Sequence, residues 1–286
     1  MCLNQEGHMY QLDTITFCHL CVSRLIIGGN PFTGYSHQNE DISLEMKKYY
    51  TVFRIKETLR EAERLGVNTF IARTDNHIIR MLLEYWDEGG TIQWIAQTAV
   101  ELSTIDRGVK RAIESGAKAC VIHGGQMDYL FEKKQIDEIS TAISKIRDAG
   151  LPAGVAGHNP NVFKWIEGSL NVDFYMCSYY NPTYKEKQTE YLSSDREIFL
   201  VEDRDTMVNL IKSLSKPVIH FKILAAGRTN PKEAFTFVAR HLRPNDVVCV
   251  GVYTKINSHM IEEDAQLLMQ SLNNHQENIG KKNKLE

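Results

Sequence analysis

The stretch Ala119-Cys120-Val121-Ile122-His123-Gly124-Gly125 decides the fold when read with the next two runs of the chain: a long amphipathic run, Ile136 to Ala149, and a second apolar run, Ala153 to Ala156. A short run with no polar alternation reads as a parallel strand buried on both faces. The run from Ile136 has helical spacing and stops at Gly150, as a left-handed helix end does. Strand, helix, strand is a right-handed crossover unit. The ionisable residue falls at the exit of the first strand, before two glycines that would let a ligand approach the backbone.

Working outward, the unit recurs about eight times. Strands are expected over 23–29, 68–72, 92–97, 119–123, 153–156, 174–178, 218–224 and 247–252. Helices are expected over 51–65, 77–87, 105–115, 136–149, 161–168, 204–214, 231–242 and 260–273. Gly66 and Gly116 stop two of them, and Pro231 opens another behind Thr229 or Asn230. This is the α/β pattern of a single (β/α)8 TIM barrel. An open doubly wound sheet would carry a glycine-rich phosphate turn, and neither GxGxxG nor GxxxxGKS occurs. The barrel is placed at 1–274, its first 22 residues forming an N-terminal β-hairpin from Met9 onward. Residues 275–286 read as a polar, disordered tail, its Lys281-Lys282-Asn283-Lys284 a solvated charge run and Leu285-Glu286 a cloning remnant. Asn30 to Tyr50 reads as a long polar loop, of the kind that is often functional.

A net charge of −3 with dispersed Lys and Arg gives no basic surface for nucleic acid or an anionic membrane. No apolar run reaches the roughly 18 residues of a membrane span, and Met1 to His8 lack the order of a signal peptide. A cytoplasmic enzyme with a small-molecule substrate is expected, with a homo-oligomer open. Six cysteines are too few for a disulfide scaffold. Cys18 and Cys21 are read as hairpin residues, and Cys120, Cys177 and Cys249 as small core hydrophobes.

In such barrels chemistry sits where strands exit. The exits deliver Asn30, with Tyr35 and His37 in its loop; Arg73, Asp75 and His77; Gln97; His123, then Asp128; His158 and Asn159; Tyr179, Tyr180 and Asn181; His220 and Lys222 within a strand, then Gly227 and Arg228; and Tyr253 and Lys255. His123, Asp75, Lys222, His158 and Gln97 are the catalytic candidates. Asn30, Arg73, His77, Asn159 and Tyr179 would bind substrate. A neutral imidazole suits acid, base or donor work at His123 and His158. Lys222, turned inward, would be a desolvated amine suited to an imine; turned outward it would face the helix layer. His123, His158 and Asp75 could ligate a divalent metal. Gly227 and Arg228 lie where many barrels hold phosphate.

The chain resembles the aldo-keto reductase superfamily. The resemblance is carried by the leading hairpin with Val22-Ser23-Arg24-Leu25-Ile26-Ile27-Gly28-Gly29, by Leu65-Gly66-Val67-Asn68-Thr69-Phe70, by His123 on its strand, and by the last strand and helix with Glu262 and Glu263. It implies a barrel that reduces a small polar carbonyl or sugar-like metabolite with NADPH, held through Gly227, Arg228 and Lys255. It also implies a tetrad of tyrosine, lysine, aspartate and histidine, of which His123 alone carries over. Gln97 stands at the lysine position. The aspartate position falls near Ile71 or Ala72 unless the register slips to Asp75. Tyr85 lies in a helix. Asp75 or a loop tyrosine would then replace the missing acid. The alternatives are a metal-dependent or Schiff-base lyase, isomerase or hydrolase, or a non-catalytic ligand-binding barrel.

Overall fold

The computed structural model describes residues 12–98, 105–181 and 197–282. The expectations for Met1–Gln11, for the tyrosine-rich loop between 182 and 196 and for the last four residues lie outside that range. Strands β1 (Thr14–Phe17) and β2 (Leu20–Ser23) form an antiparallel hairpin. Eight further strands close into a parallel barrel: β3 (Leu25–Gly28), β4 (Thr69–Arg73), β5 (Gln93–Gln97), β6 (Ala119–Ile122), β7 (Ala153–Gly157), β8 (Phe174–Ser178), β9 (Val218–Phe221) and β10 (Val247–Gly251), which pairs with β3. The chain is a single (β/α)8 barrel with a leading hairpin, as its sequence pattern predicts.

Strand periodicity divides the apolar residues into two cores. Alternate strand positions, such as Ile26, Ile71, Ile95 and Val121, fill the barrel interior. The hairpin plugs the N-terminal end, where Phe17 meets Phe174 edge to face at 5.2 Å. Gly154 makes room for that plug, since a Cβ there would sit 2.4 Å from the Phe174 ring. The other strand positions, including Phe70, Trp94 and Val155, face the helices. Each fully buried aliphatic side chain stabilises the fold by about 1.5–3 kcal/mol.

The helices are α1 (Glu40–Tyr49), α2 (Val52–Arg64), α3 (Asn76–Asp87), α4 (Ile105–Glu114), α5 (Gly124–Lys133), α6 (Ile136–Asp148), α7 (Pro160–Ser169), α8 (Val201–Ile211), α9 (Pro231–Ala239) and α10 (Met260–Lys282). Four features depart from expectation. The polar stretch 30–50 contains α1, capped by Asn39, whose side chain accepts from Ile42 N at 2.8 Å. Acids open α1 and lysines close it, matching the helix dipole, while Met46 is its one buried residue, so its apolar stripe is faint. Helix α5 begins on Gly124-Gly125 because His123 caps it. Residues 275–282, expected as disordered tail, continue α10; a helix already nucleated extends at little cost through Gln, Glu and Lys. Finally, β9 stops at Phe221, because Lys222 has φ +58°. Cys18 lies at the hairpin turn and Cys21 in β2, while Cys120, Cys177 and Cys249 are buried and their thiols pushed up by desolvation. No helix among the described residues is long and apolar enough to cross a membrane.

Candidate active site at the C-terminal mouth

The interior parity that places Ile71, Ile95, Val121, Ala156 and Met176 inside carries two residues further to Arg73, Gln97, His123, His158 and Ser178. Arg73 and Gln97 are partners in register. The C-terminal mouth is thus lined by a guanidinium, an amide and two imidazoles, a set that core packing does not require.

His123 is held by helix geometry. Its N–H donates to Thr98 Oγ1 at 3.1 Å, and that hydroxyl donates to Gln126 Oε1 at 2.5 Å. Its Nδ1 accepts the Gly125 N–H at 3.0 Å. Nδ1 therefore bears no proton, and Nε2 is the N–H of the neutral ring. Burial first, then the positive charge of Arg73 and the neighbouring His158, Lys222 and His37, lower the His123 pKa to about 3. His123 is a fixed neutral donor across the physiological range.

His158, 4% exposed, has the opposite polarity. Its Nδ1 meets Asp128 Oδ2 at 2.8 Å, and its backbone N–H reaches Asp128 Oδ1 at 3.4 Å. A carboxylate only accepts, so Nδ1 carries a proton, and in the neutral ring Nε2 is the acceptor nitrogen. Gly124 allows this placement, since a Cβ there would lie 2.9 Å from His158 Cε1. The Gly124-Gly125 pair thus serves a cap and a histidine within the chain.

A second group crosses the mouth from the segment before α1. His37 Nδ1 lies 2.8 Å from Glu197 Oε1, and the Asn30 amide donates to His37 Nε2 at 3.0 Å. Desolvation foremost, with the Lys222 charge, lowers the His37 pKa against the pull of Glu197. Glu197 itself is lowered: burial would raise it, but the His37 hydrogen bond and Lys222 outweigh that. Lys222 Nζ sits 3.3–3.4 Å from the His37 ring nitrogens. Lys222 reaches the mouth, the inward of the two alternatives, by a left-handed backbone rather than by strand alternation.

The remaining candidates are placed elsewhere. Asp75 caps α3, its Oδ1 accepting from Ile78 N at 2.9 Å, and His77 is exposed on the first turn of α3. Asn159 caps α7 through Asn161 N at 3.0 Å. Tyr179 turns into the helix layer, 1% exposed, its hydroxyl 3.0 Å from His220 Nδ1. The alternation explains this, since Ser178 takes the inward position. Tyr85 is buried between helices with its hydroxyl on Glu63. Among the described residues no group of three or more His, Cys, Asp or Glu could hold a metal ion, so His123, His158 and Asp75 do not converge as a ligand set. Asp128 was legible as a residue near a strand exit but not as the partner of His158, and Glu197 gave no signal in its polar stretch.

The residues expected to clamp NADPH are bonded within the chain. Arg228 Nη1 donates to His37 O at 3.0 Å and to Ala225 O at 3.1 Å, and its guanidinium lies 4.4 Å from the centre of the Phe199 ring. Lys255 pairs with Glu45 of α1 at 2.9 Å. The turn at Gly227 is covered by Gln38, whose amide donates to Ala226 O at 2.8 Å. With Gln97 at the lysine position, these residues do not fit the nicotinamide cofactor.

No family model and no curated protein matches the sequence. Solved structures do match in fold. One is a Pseudomonas aeruginosa protein assigned to the aldo-keto reductases: 14% identity, 89% of this chain and 93% of that one, TM-score 0.58. Another is the holo form of an aldo-keto reductase from Bacillus halodurans, at 12% identity, 93% and 96% coverage and TM-score 0.52. A truncated 3-deoxy-D-arabino-heptulosonate 7-phosphate synthase from Thermotoga maritima matches at 13% identity, 91% of each chain and TM-score 0.51. The barrel is similar to those of the aldo-keto reductases and of the synthase, and at these identities the likeness is one of fold.

Proposed function

We propose that this barrel is an enzyme that moves a proton on the carbon beside the carbonyl of a small polar metabolite, an isomerase or lyase type of reaction. One observation carries the reading: two imidazoles at the mouth are fixed with opposite hydrogen-bond polarity. His158, oriented by Asp128, offers Nε2 as general base. His123 offers Nε2–H to the carbonyl oxygen, and its low basicity keeps it a donor as negative charge develops there. Arg73 and Lys222 add positive charge beside it. Gln97 and Asn30 supply amides for substrate hydroxyls. His158 removes the α-proton, the C–H pair moves into a C=C bond, and the carbonyl pair moves to the oxygen facing His123. Return of the proton to the former carbonyl carbon, with the hydroxyl proton of the α-carbon passing to the enolate oxygen, gives isomerisation of a hydroxycarbonyl.

Incubation in D2O with a panel of small ketoses, hydroxyaldehydes and 2-oxo acids, followed by proton NMR, tests this. Enzyme-dependent loss of an α-hydrogen signal that His158→Gln abolishes is expected. Exchange unaffected by that change overturns the reading.

A second reading is carbonyl reduction. It is favoured by the fold likeness and by His123 at the exit of β6. It requires saturable NADPH binding at micromolar concentration; the engagement of Arg228 and Lys255 by the chain itself predicts none.

A further inference from the structure

Lys222 is the mouth residue that the proton-transfer step uses least and the backbone distorts most. Its φ of +58° is costly for a residue with a side chain. Ordinary alternation after His220 would have sent it into the helix layer. The turn instead carries its amine to His37. Nζ is nearly equidistant from the two ring nitrogens, 3.4 Å from Nδ1 and 3.3 Å from Nε2. An in-plane position at those distances would collide with a ring carbon. The amine therefore lies over the ring face, while Glu197 and Asn30 occupy the two in-plane sites. A second aromatic face, Phe199, has its centre 5.9 Å away. No carboxylate forms an ion pair with Lys222 among the described residues, and the Arg228 charge acts against its protonation.

An aromatic face attracts the ammonium, but by less than a contacting carboxylate would, so less is lost here when the amine gives up its proton. Desolvation foremost, with Arg228 and against Glu197, brings the lysine down to about 8. From this placement we infer that Lys222 is a nucleophile that forms an imine with the carbonyl substrate. The inference rests on the reading of the mouth as a carbonyl site. The nitrogen lone pair adds to the carbonyl carbon as the C=O π pair moves to oxygen, which takes up a proton. The nitrogen gives up one proton, and the carbinolamine then expels its hydroxyl, protonated, as water while C=N forms. Carbonyl and amine give imine and water, with no change of oxidation state. Once protonated, the imine acidifies the adjacent C–H that His158 would remove, which joins the two residues in one reaction.

The test is reductive trapping of the intact protein with glycolaldehyde, dihydroxyacetone or pyruvate and sodium cyanoborohydride, read by intact mass and peptide mapping. Labelling of Lys222 at pH 7 at least tenfold faster than any other lysine is expected. Its rate should rise with pH to half-maximum near 8, against ~10.4 for an ordinary lysine. Lys222→Arg should remove that fast label, and His158→Gln should keep it. Labelling spread evenly over surface lysines, or a Lys222 no faster than they are, overturns the inference. Deuterium exchange without a Lys222 adduct would sink the imine and leave the proton-transfer reading standing; an adduct without exchange would do the reverse.

Discussion

Among the described residues two histidine–aspartate pairs lie in this barrel, and they are built for different ends. His220 on β9 is fully buried and faces the helix layer, with Tyr179 on Nδ1 at 3.0 Å and Asp246 on Nε2 at 3.2 Å. Asp246 also accepts from Val218 N and Arg243, and although burial alone would raise its carboxyl, the hydrogen bonds from His220 and Arg243 hold it down to about 2. Both ring nitrogens of His220 are spent, so this pair pins β9, β10 and the residues before β10 together. His158 has the same carboxylate partner chemistry, but on Nδ1, and stands one step beyond β7 at the mouth. Its Nε2 belongs to the side where Arg73, His123 and Lys222 meet. The difference teaches that a buried His–Asp pair is structural or chemical according to where the second nitrogen looks, which strand parity decides.

The largest effect should come from His158→Gln. It should slow α-proton exchange by about 10²–10⁴-fold with little change in melting temperature, while His220→Gln should do the opposite. Exchange assays beside thermal melts of both variants would break the comparison if the roles came out equal. Asp246→Ala should cost about 3–5 kcal/mol, because it leaves the buried His220 and Val218 N without their acceptor and the half-buried Arg243 without its counter-charge; urea unfolding measures it. Gly124→Ala should cost about 1–3 kcal/mol and disturb His158, since the new methyl meets its ring. The expected signature is a larger loss in exchange rate than in stability.

The smallest effect sharpens the contrast from the carboxylate side. Asp264 of α10 is buried, and its Oδ2 has no hydrogen-bond partner among the described residues. Desolvation, then Glu263, raises its pKa from 3.8 to about 7. The folded state then holds a proton that the unfolded chain has lost, so stability falls as pH rises from about 4 through about 7. Asp264→Asn should gain in Tm on the wild type between pH 4 and pH 8, read by thermal melts at the two pH values. A gap that stays flat with pH would refute the assignment.

Much of the barrel and its mouth was legible in the sequence, and the rest was hidden for physical reasons. Strand exits name Arg73, Gln97, His123 and His158 because an apolar run ending in an ionisable residue is a local signal. Parity within β8 would also have placed Ser178 inside and Tyr179 outside. Lys222 was undecidable, because the sign of its φ sets its direction and no residue type announces a left-handed lysine. Asp128 was obscured by Gly124-Gly125, which argue against a helix unless the histidine before them caps it. Glu197 meets His37 across 160 residues, a contact that only the closed barrel creates. Asp75 and Asn159 illustrate the converse: polar residues at strand exits that cap helices.

The most direct test of the two-polarity claim is a long-range proton–nitrogen NMR spectrum of the 15N-histidine-labelled protein, recorded from pH 8 down to pH 5. The account predicts that His123 is protonated on Nε2 alone and does not titrate in that range, while His158 at pH 8 carries its proton on Nδ1. A His123 that titrates near 6.5, or that carries its proton on Nδ1, would contradict it.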